Sequence, residues 1–153
     1  MALESKINQR TFKSSFQKAT LNILFTSDKL NKRINDVLKK FGLTNSQYNI
    51  LRILAGSHPN SLSPGNIKEV MLFKTSDVTR LIDRLEKKEL VNRFLCPTNR
   101  RKMDIGISEN GIELLAQLNP LIKKESEEIL QHNLTKAEAD TLSNLLDKIN
   151  SEL

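Results

Sequence analysis

Lys74 to Gly111 reads KTSDVTRLIDRLEKKELVNRFLCPTNRRKMDIGISENG, and within it the hydrophobic period changes from that of a helix to that of a strand. Val78, Leu81, Ile82 and Leu85 follow the i, i+3, i+4, i+7 spacing that gathers apolar side chains on one helical face. The opposite face carries Thr75, Ser76, Asp77, Thr79 and Arg80 near the helix start. These are short hydrogen-bonding groups and one arginine, a set suited to base edges in a major groove. Val91 to Leu95 and Met103 to Ile107 then predict two short strands, with Met103, Ile105 and Ile107 on one face and Asp104 and Gly106 on the other. Between them lies CPTNRRK, where Pro97 and Asn99 favour a turn and Arg100, Arg101 and Lys102 load its tip with charge. A basic loop held on two strands reaches phosphates well.

A helix with a polar edge followed by an arginine-tipped hairpin predicts a winged helix-turn-helix of mainly α (α+β) class. The ordered set LIDRLEKKELVNR, then NRR at Asn99 to Arg101, then ISENG at Ile107 to Gly111 resembles the MarR family of bacterial transcriptional regulators over roughly residues 40 to 120. The resemblance implies a homodimer on a roughly palindromic operator in double-stranded DNA, usually a repressor, released by a small-molecule effector. It also implies that Arg101 is the wing-tip arginine that enters a minor groove, with Arg100 and Lys102 beside phosphates. Three departures from the family pattern involve four positions. Glu89 stands where the recognition helix usually ends in glycine, at a cost of roughly 1 kcal/mol for a left-handed residue. Asn99 stands where the wing usually has aspartate, so it can hydrogen-bond the loop but cannot ion-pair with arginine. Lys68 and Leu72 replace alanine and glycine at the helix-turn-helix corner, which makes that turn harder to place than its helices.

The chain has 153 residues, enough for one domain. One cysteine excludes an internal disulfide framework and a multi-cysteine zinc site, as expected of a reducing cytoplasm. No apolar run reaches the length of about 18 residues that marks a membrane span, and the N-terminus lacks a signal-peptide core, so a cytoplasmic location away from membranes is expected. The net charge is +6. It is unevenly laid out: residues 1 to 41 and 63 to 104 are basic, whereas 105 to 153 are acidic.

Residues from about 9 to 40 read as one long helix, with Phe16, Ile23, Leu30, Ile34, Val37 and Leu38 near helical spacing. Thr44 and Gln47 form a capping box, with Leu43 and Tyr48 as a staple, ahead of a helix through Ile50, Leu51, Ile53 and Leu54. AGSHPNS is a loop by composition, and Ser63 and Pro64 open a helix whose apolar face is Ile67, Val70 and Met71. After the hairpin, Ser108 caps a helix expected to reach about His132, with Pro120 kinking or interrupting it. Thr135 and Glu138 form a second capping box, before a stripe of Leu142, Leu145, Leu146 and Ile149. Long striped helices at both ends of a small domain have little core of their own to cover. They predict a dimer interface at about 1–41 and 109–153, including Phe16 and Ile23, around a DNA-binding part at about 43–108.

Several residues carry two readings. Arg80 either pairs with guanine or forms an intrahelical pair with Asp77 or Asp83; the hairpin that follows favours DNA. Asp77 either accepts from a cytosine amino group or buttresses Arg80. Thr75, Ser76 and Thr79 serve DNA or cap the helix. Cys96 reads better as a structural cysteine on a strand than as an oxidant sensor. His58 and His132 lack companions at ligand spacing, so neither metal nor cofactor is expected. No phosphate-binding glycine loop, G-x-S-x-G or H-E-x-x-H occurs, which argues against an enzyme. Two alternatives remain: an architectural protein that coats DNA with little sequence preference, and a helical protein-interaction dimer that has lost DNA binding.

Overall fold

The computed structural model describes residues 2–153, in the order α1 (Leu3–Lys6), α2 (Ser15–Lys40), α3 (Asn45–Ser57), α4 (Pro64–Val70), α5 (Val78–Lys87), β1 (Val91–Cys96), β2 (Asn99–Ile107), α6 (Glu109–Glu125), α7 (Glu127–Asn133) and α8 (Lys136–Asn150). The mainly helical winged helix-turn-helix expected from sequence is the fold observed.

Its core lies where α3, α5 and the hairpin meet. Ile50, Leu51 and Leu54 of α3, Ile82 and Leu85 of α5, and Val91 and Ile105 of the hairpin are all essentially inaccessible. Each such side chain contributes about 1.5 to 3 kcal/mol by leaving water. Together they hold α5 against the rest of the domain and leave its other face outside. Helix α3 starts as expected, with Thr44 accepting from the Gln47 N–H and the Gln47 side chain accepting from the Thr44 N–H. Tyr48 and Arg52 of α3 both donate to Asn119 Oδ1 of α6, at 2.8 and 3.1 Å. Helix α4 has its Ser63 cap and Pro64 start, with Ile67 and Met71 buried. Val70, expected on that face, is 63% exposed. Residue 70 closes the helix, and its side chain turns outward as the chain leaves for the corner.

The first long helix begins later than the expected start at about residue 9. It starts at Ser15, because Ser14 accepts from the Gln17 N–H and fixes the N-terminus there. Helix α6 runs through Pro120 without interruption, and the break falls at Ser126. There the Ser126 hydroxyl donates to the Ile122 carbonyl at 2.7 Å, and φ −128°, ψ −77° takes the chain out of the helix. The hydroxyl competes with the backbone for that carbonyl, a stronger local break here than the proline.

The hairpin is antiparallel, with Val91 opposite Ile107 and Leu95 opposite Met103. A third strand is reduced to Leu62, whose N–H and C=O bond Ile105 at 2.8 and 2.7 Å. Ile105 and Ile107 face the core as expected, whereas Met103 stays partly exposed because the hairpin has left the domain by then. Gly106 lies under the Phe94 ring, where a Cβ would approach to 2.9 Å. Gly111 of ISENG is held more tightly still, since a Cβ there would meet the Leu90 carbonyl oxygen at 2.3 Å.

Helix α5 ends in a left-handed residue although glycine is missing. Glu89 has φ 60°, its N–H bonds the Glu86 carbonyl, and the Leu90 N–H bonds the Leu85 carbonyl, the paired closure of a Schellman motif. Ser108 secures this turn by donating to the Glu89 carbonyl at 2.7 Å. The strain of a Cβ at positive φ therefore persists in the fold. Glu89→Gly is expected to stabilise the protein by about 1 kcal/mol, read as a higher urea midpoint at unchanged slope.

Candidate nucleic-acid interface

Helix α5 is shorter at its start than the sequence suggested. Asp77 is its N-cap residue, so Thr75, Ser76 and Asp77 precede the helix instead of lying on its face. The cause is local: Thr75 Oγ1 accepts from the Asp77 N–H at 3.2 Å, a side-chain turn that competes with another helical turn. Thr75 thus has a structural task at the helix entry. The expected cap by Thr75, Ser76 or Thr79 is not made: Asp77 is the N-cap residue and has no side-chain cap hydrogen bond. Thr79 and Arg80 occupy the first helical turn and are exposed.

Arg80 lies 3.6 Å from the Asp77 carboxylate, with side chains 76% and 50% exposed. A solvated pair of this kind is worth at most about 1 kcal/mol and is easily exchanged for another partner. Asp83, the other carboxylate expected near Arg80, is engaged by Arg93 instead.

The corner before α5 is closed by side chains. Lys74 Nζ donates to the carbonyls of Lys68 and Glu69 at 3.3 and 2.5 Å, satisfying the end of α4. The Leu72 N–H donates to Asn49 Oδ1 at 2.8 Å, tying the corner to α3. Lys74 is thereby engaged inside the fold.

At the wing the turn is tighter than the expected seven-residue loop. Cys96 pairs with Asn99 across Pro97 and Thr98, and the register then steps so that Leu95 faces Met103. Arg100, Arg101 and Lys102 are left without partners across the hairpin, within β2 and not at the tip of a loop, and all three are exposed. Such an irregularity redirects the side chains it carries. Asn99 holds the run in shape, its Oδ1 accepting from the Arg101 N–H at 3.0 Å. The expected loop hydrogen bond is therefore present.

Cys96 is half-buried at the end of β1, with its Sγ 3.4 Å from Thr98 Oγ1. The Thr98 hydroxyl, then the backbone N–H groups of Thr98 and Asn99, hold its thiol below the usual cysteine range. The stabilising partner is Thr98. Among the described residues no group of three or more His, Cys, Asp or Glu side chains is placed to hold a metal ion.

The apolar stripes at the chain ends are uncovered. Phe16 is 84% exposed and Leu145 53%, Ile23, Leu142 and Ile149 are exposed as well, and Leu146 is half-buried. Helix α8 contains no buried residue. A separate cleft of about 570 Å³ opens between α1, α2 and α7, lined in part by Phe25, Leu30 and Ile129. The Lys6 and Lys29 ammonium groups sit 5.5 and 5.2 Å from the Phe25 ring centre. No described helix is long and apolar enough to cross a membrane.

Sequence reasoning missed Arg93, which joins β1 to Asp83 and Glu86 of α5. Its only signal was the alternation of β1, which leaves residue 93 pointing opposite to its neighbours, and alternation names no partner.

A helix-turn-helix corner, an exposed first turn of α5 and a basic hairpin behind it define a winged helix-turn-helix protein. The MarR family profile matches residues 43–103. A MarR transcription factor from Planctomyces limnophilus, known by crystal structure, is 31% identical with a TM-score of 0.68, over 92% of this chain and 98% of that one. The regulator MhqR of Bacillus subtilis is 28% identical over 120 residues, 78% of this chain and 81% of its own. The Staphylococcus aureus MepR–DNA complex shares the fold at a TM-score of 0.78 and 24% identity, over 94% of this chain and 100% of that one. The chain belongs to the MarR family, whose members regulate transcription and are not enzymes.

The Cys96 thiol is expected to react with iodoacetamide along a pH profile displaced below that of an ordinary cysteine, and Thr98→Val is expected to move the profile back up. Alkylation rates across pH on the two proteins check this.

Proposed function

We propose that the protein is a sequence-specific DNA-binding regulator that acts as a homodimer. It represses at an inverted-repeat operator and is released by a small-molecule effector. The observation that carries this reading is the pairing of two exposed basic features on directly packed elements. Arg80 stands in the first turn of α5, and the unpartnered run Arg100 to Lys102 stands on the hairpin whose β1 packs against α5. The helix-turn-helix places such a first turn in a major groove, and a wing follows the flanking minor groove.

In this reading Arg80 makes the base contact, with Thr79 beside it. Thr75 and Ser76 form the helix entry facing the phosphates and base edges, and Asp77 accepts from a cytosine amino group or buttresses Arg80. Arg101 enters the minor groove, while Arg100 and Lys102 neutralise phosphates and Asn99 shapes the run. Residues of about 43–108 form the DNA-binding part, and about 1–41 with 109–153 form the dimer. The uncovered stripe of Leu142, Leu145, Leu146 and Ile149, with Phe16 and Ile23, supports the dimer. So does the opposition of a basic first helix and an acidic last one. Two α5 helices then sit about 34 Å apart on the duplex. The cleft beside Phe25 supports the release step, since it is concave and partly apolar.

Fluorescence anisotropy on the protein's own upstream duplex and on random DNA tests the reading. Arg80→Ala is expected to weaken operator binding by about 1 to 3 kcal/mol and random binding much less. Arg101→Ala is expected to weaken both and to flatten the salt dependence by about one unit. Wild-type affinities equal on both duplexes would mean a DNA-coating protein, and binding to neither would mean an interaction module. Leu145→Glu is expected to convert the dimer to monomer in sedimentation while keeping its helicity, because Leu145 is 53% exposed and α8 has no fully buried residue within its own subunit.

A further inference from the structure

Arg93 stands in β1 opposite Ile105, with its side chain 26% exposed. Its Nε donates to Glu86 Oε2 at 2.8 Å, and its Nη2 donates to Asp83 Oδ1. Asp83 and Glu86 are three residues apart and so share one surface of α5. A planar guanidinium satisfies both carboxylates at once, which an ammonium group does less well. Among the described residues this is the only ionic contact that joins α5 to the hairpin.

The arrangement has a geometric effect and an electrostatic one. The wing emerges from the same β1 that Arg93 anchors, so the angle between wing and α5 depends on this fork. Asp83 also lies three residues beyond Arg80, where opposite charges on a helix meet. Because Asp83 is held by Arg93, Arg80 keeps only the loose, exposed contact to Asp77.

We infer that Arg93 is a positioning residue for DNA reading: it ties the wing root to α5 and sequesters Asp83, leaving Arg80 available to the duplex. The inference rests on the function proposed above, and its test has one arm that needs no DNA.

Arg93→Met is expected to lower operator affinity about tenfold, the order found when an interfacial charge network loses its central member. Adding Asp83→Asn is expected to recover about threefold, since it removes the carboxylate that would otherwise capture Arg80 and repel phosphate. Arg93→Lys, which can hold one carboxylate, is expected to fall between. An anchor with a purely structural role would not be rescued by deleting its own partner, so absence of recovery overturns the electrostatic role. Without DNA, spin labels at Thr98→Cys and Lys87→Cys in a Cys96→Ser background are expected to give a narrow distance distribution that widens with Arg93→Met. Equal widths overturn the tether. Should Arg93→Met fail to fold, Glu86→Gln keeps the arginine on Asp83 and is expected to widen the distribution less; no widening again overturns the tether. If the wild type binds neither duplex, the proposed function falls, while the label distances still decide whether Arg93 holds the wing.

Discussion

The outward edge of α5 is only as well defined as the apolar seat beneath it. Val78, Ile82 and Leu85 are at most 4% exposed, and they rest on Ile50, Leu51 and Leu54 of α3 and on the isoleucines of the hairpin. Shifting α5 by a fraction of a turn would open a gap under these side chains, and close-packed interiors tolerate such gaps poorly. Helix, corner and hairpin therefore behave as one rigid head. Polar ties at its margins, Asn49 to Leu72, Ser108 to Glu89 and Leu62 to Ile105, fasten the segments that the apolar seat does not reach.

Two of the acids nearest the reading edge of this head are occupied within the fold. Asp83 and Glu86 are bound by Arg93, and Asp77 makes only a loose contact with Arg80. Among the described residues the cations at Arg100 to Lys102 make no ion pair. The acids left without an ion pair among the described residues, Glu69, Glu89 and Asp104, lie away from the first turn of α5, so that turn presents Arg80 outward.

Much of this was legible in the residues. Periodicity located α3, α5, α6 and α8, and both capping boxes, with the Ser63–Pro64 start, fell where side-chain chemistry required. What escaped depended on competition between local hydrogen bonds. Ser14, Thr75 and Ser126 each offer a hydroxyl that moves a helix boundary, and sequence spacing does not say which hydroxyl wins. The role of Arg93 was invisible for a different reason: its partners lie across a change of secondary structure, where no period connects them. Glu89 was legible as an anomaly, and the fold kept the left-handed turn because the Leu85 and Glu86 carbonyls needed partners.

The last ladder contact to the body of the domain is Leu62 on Ile105, and beyond it the hairpin is held by its own pairing up to Leu95 and Met103. Beyond Cys96 and Asn99, which pair with each other, residues 97 to 102 make no ladder contact with another element, although Thr98, Asn99 and Lys102 line a cleft with Ser61, Ser63 and Asn66. Lengthening the turn at Pro97 and Thr98 is cheap, since each doubling of a flexible connection adds only about 0.6 kcal/mol of closure entropy. Insertions or deletions there would alter how far the arginines extend while leaving the folding of the remainder intact. In this architecture the distance the arginines extend can change without any demand on the core, whose nearest tie to the wing is Leu62 on Ile105.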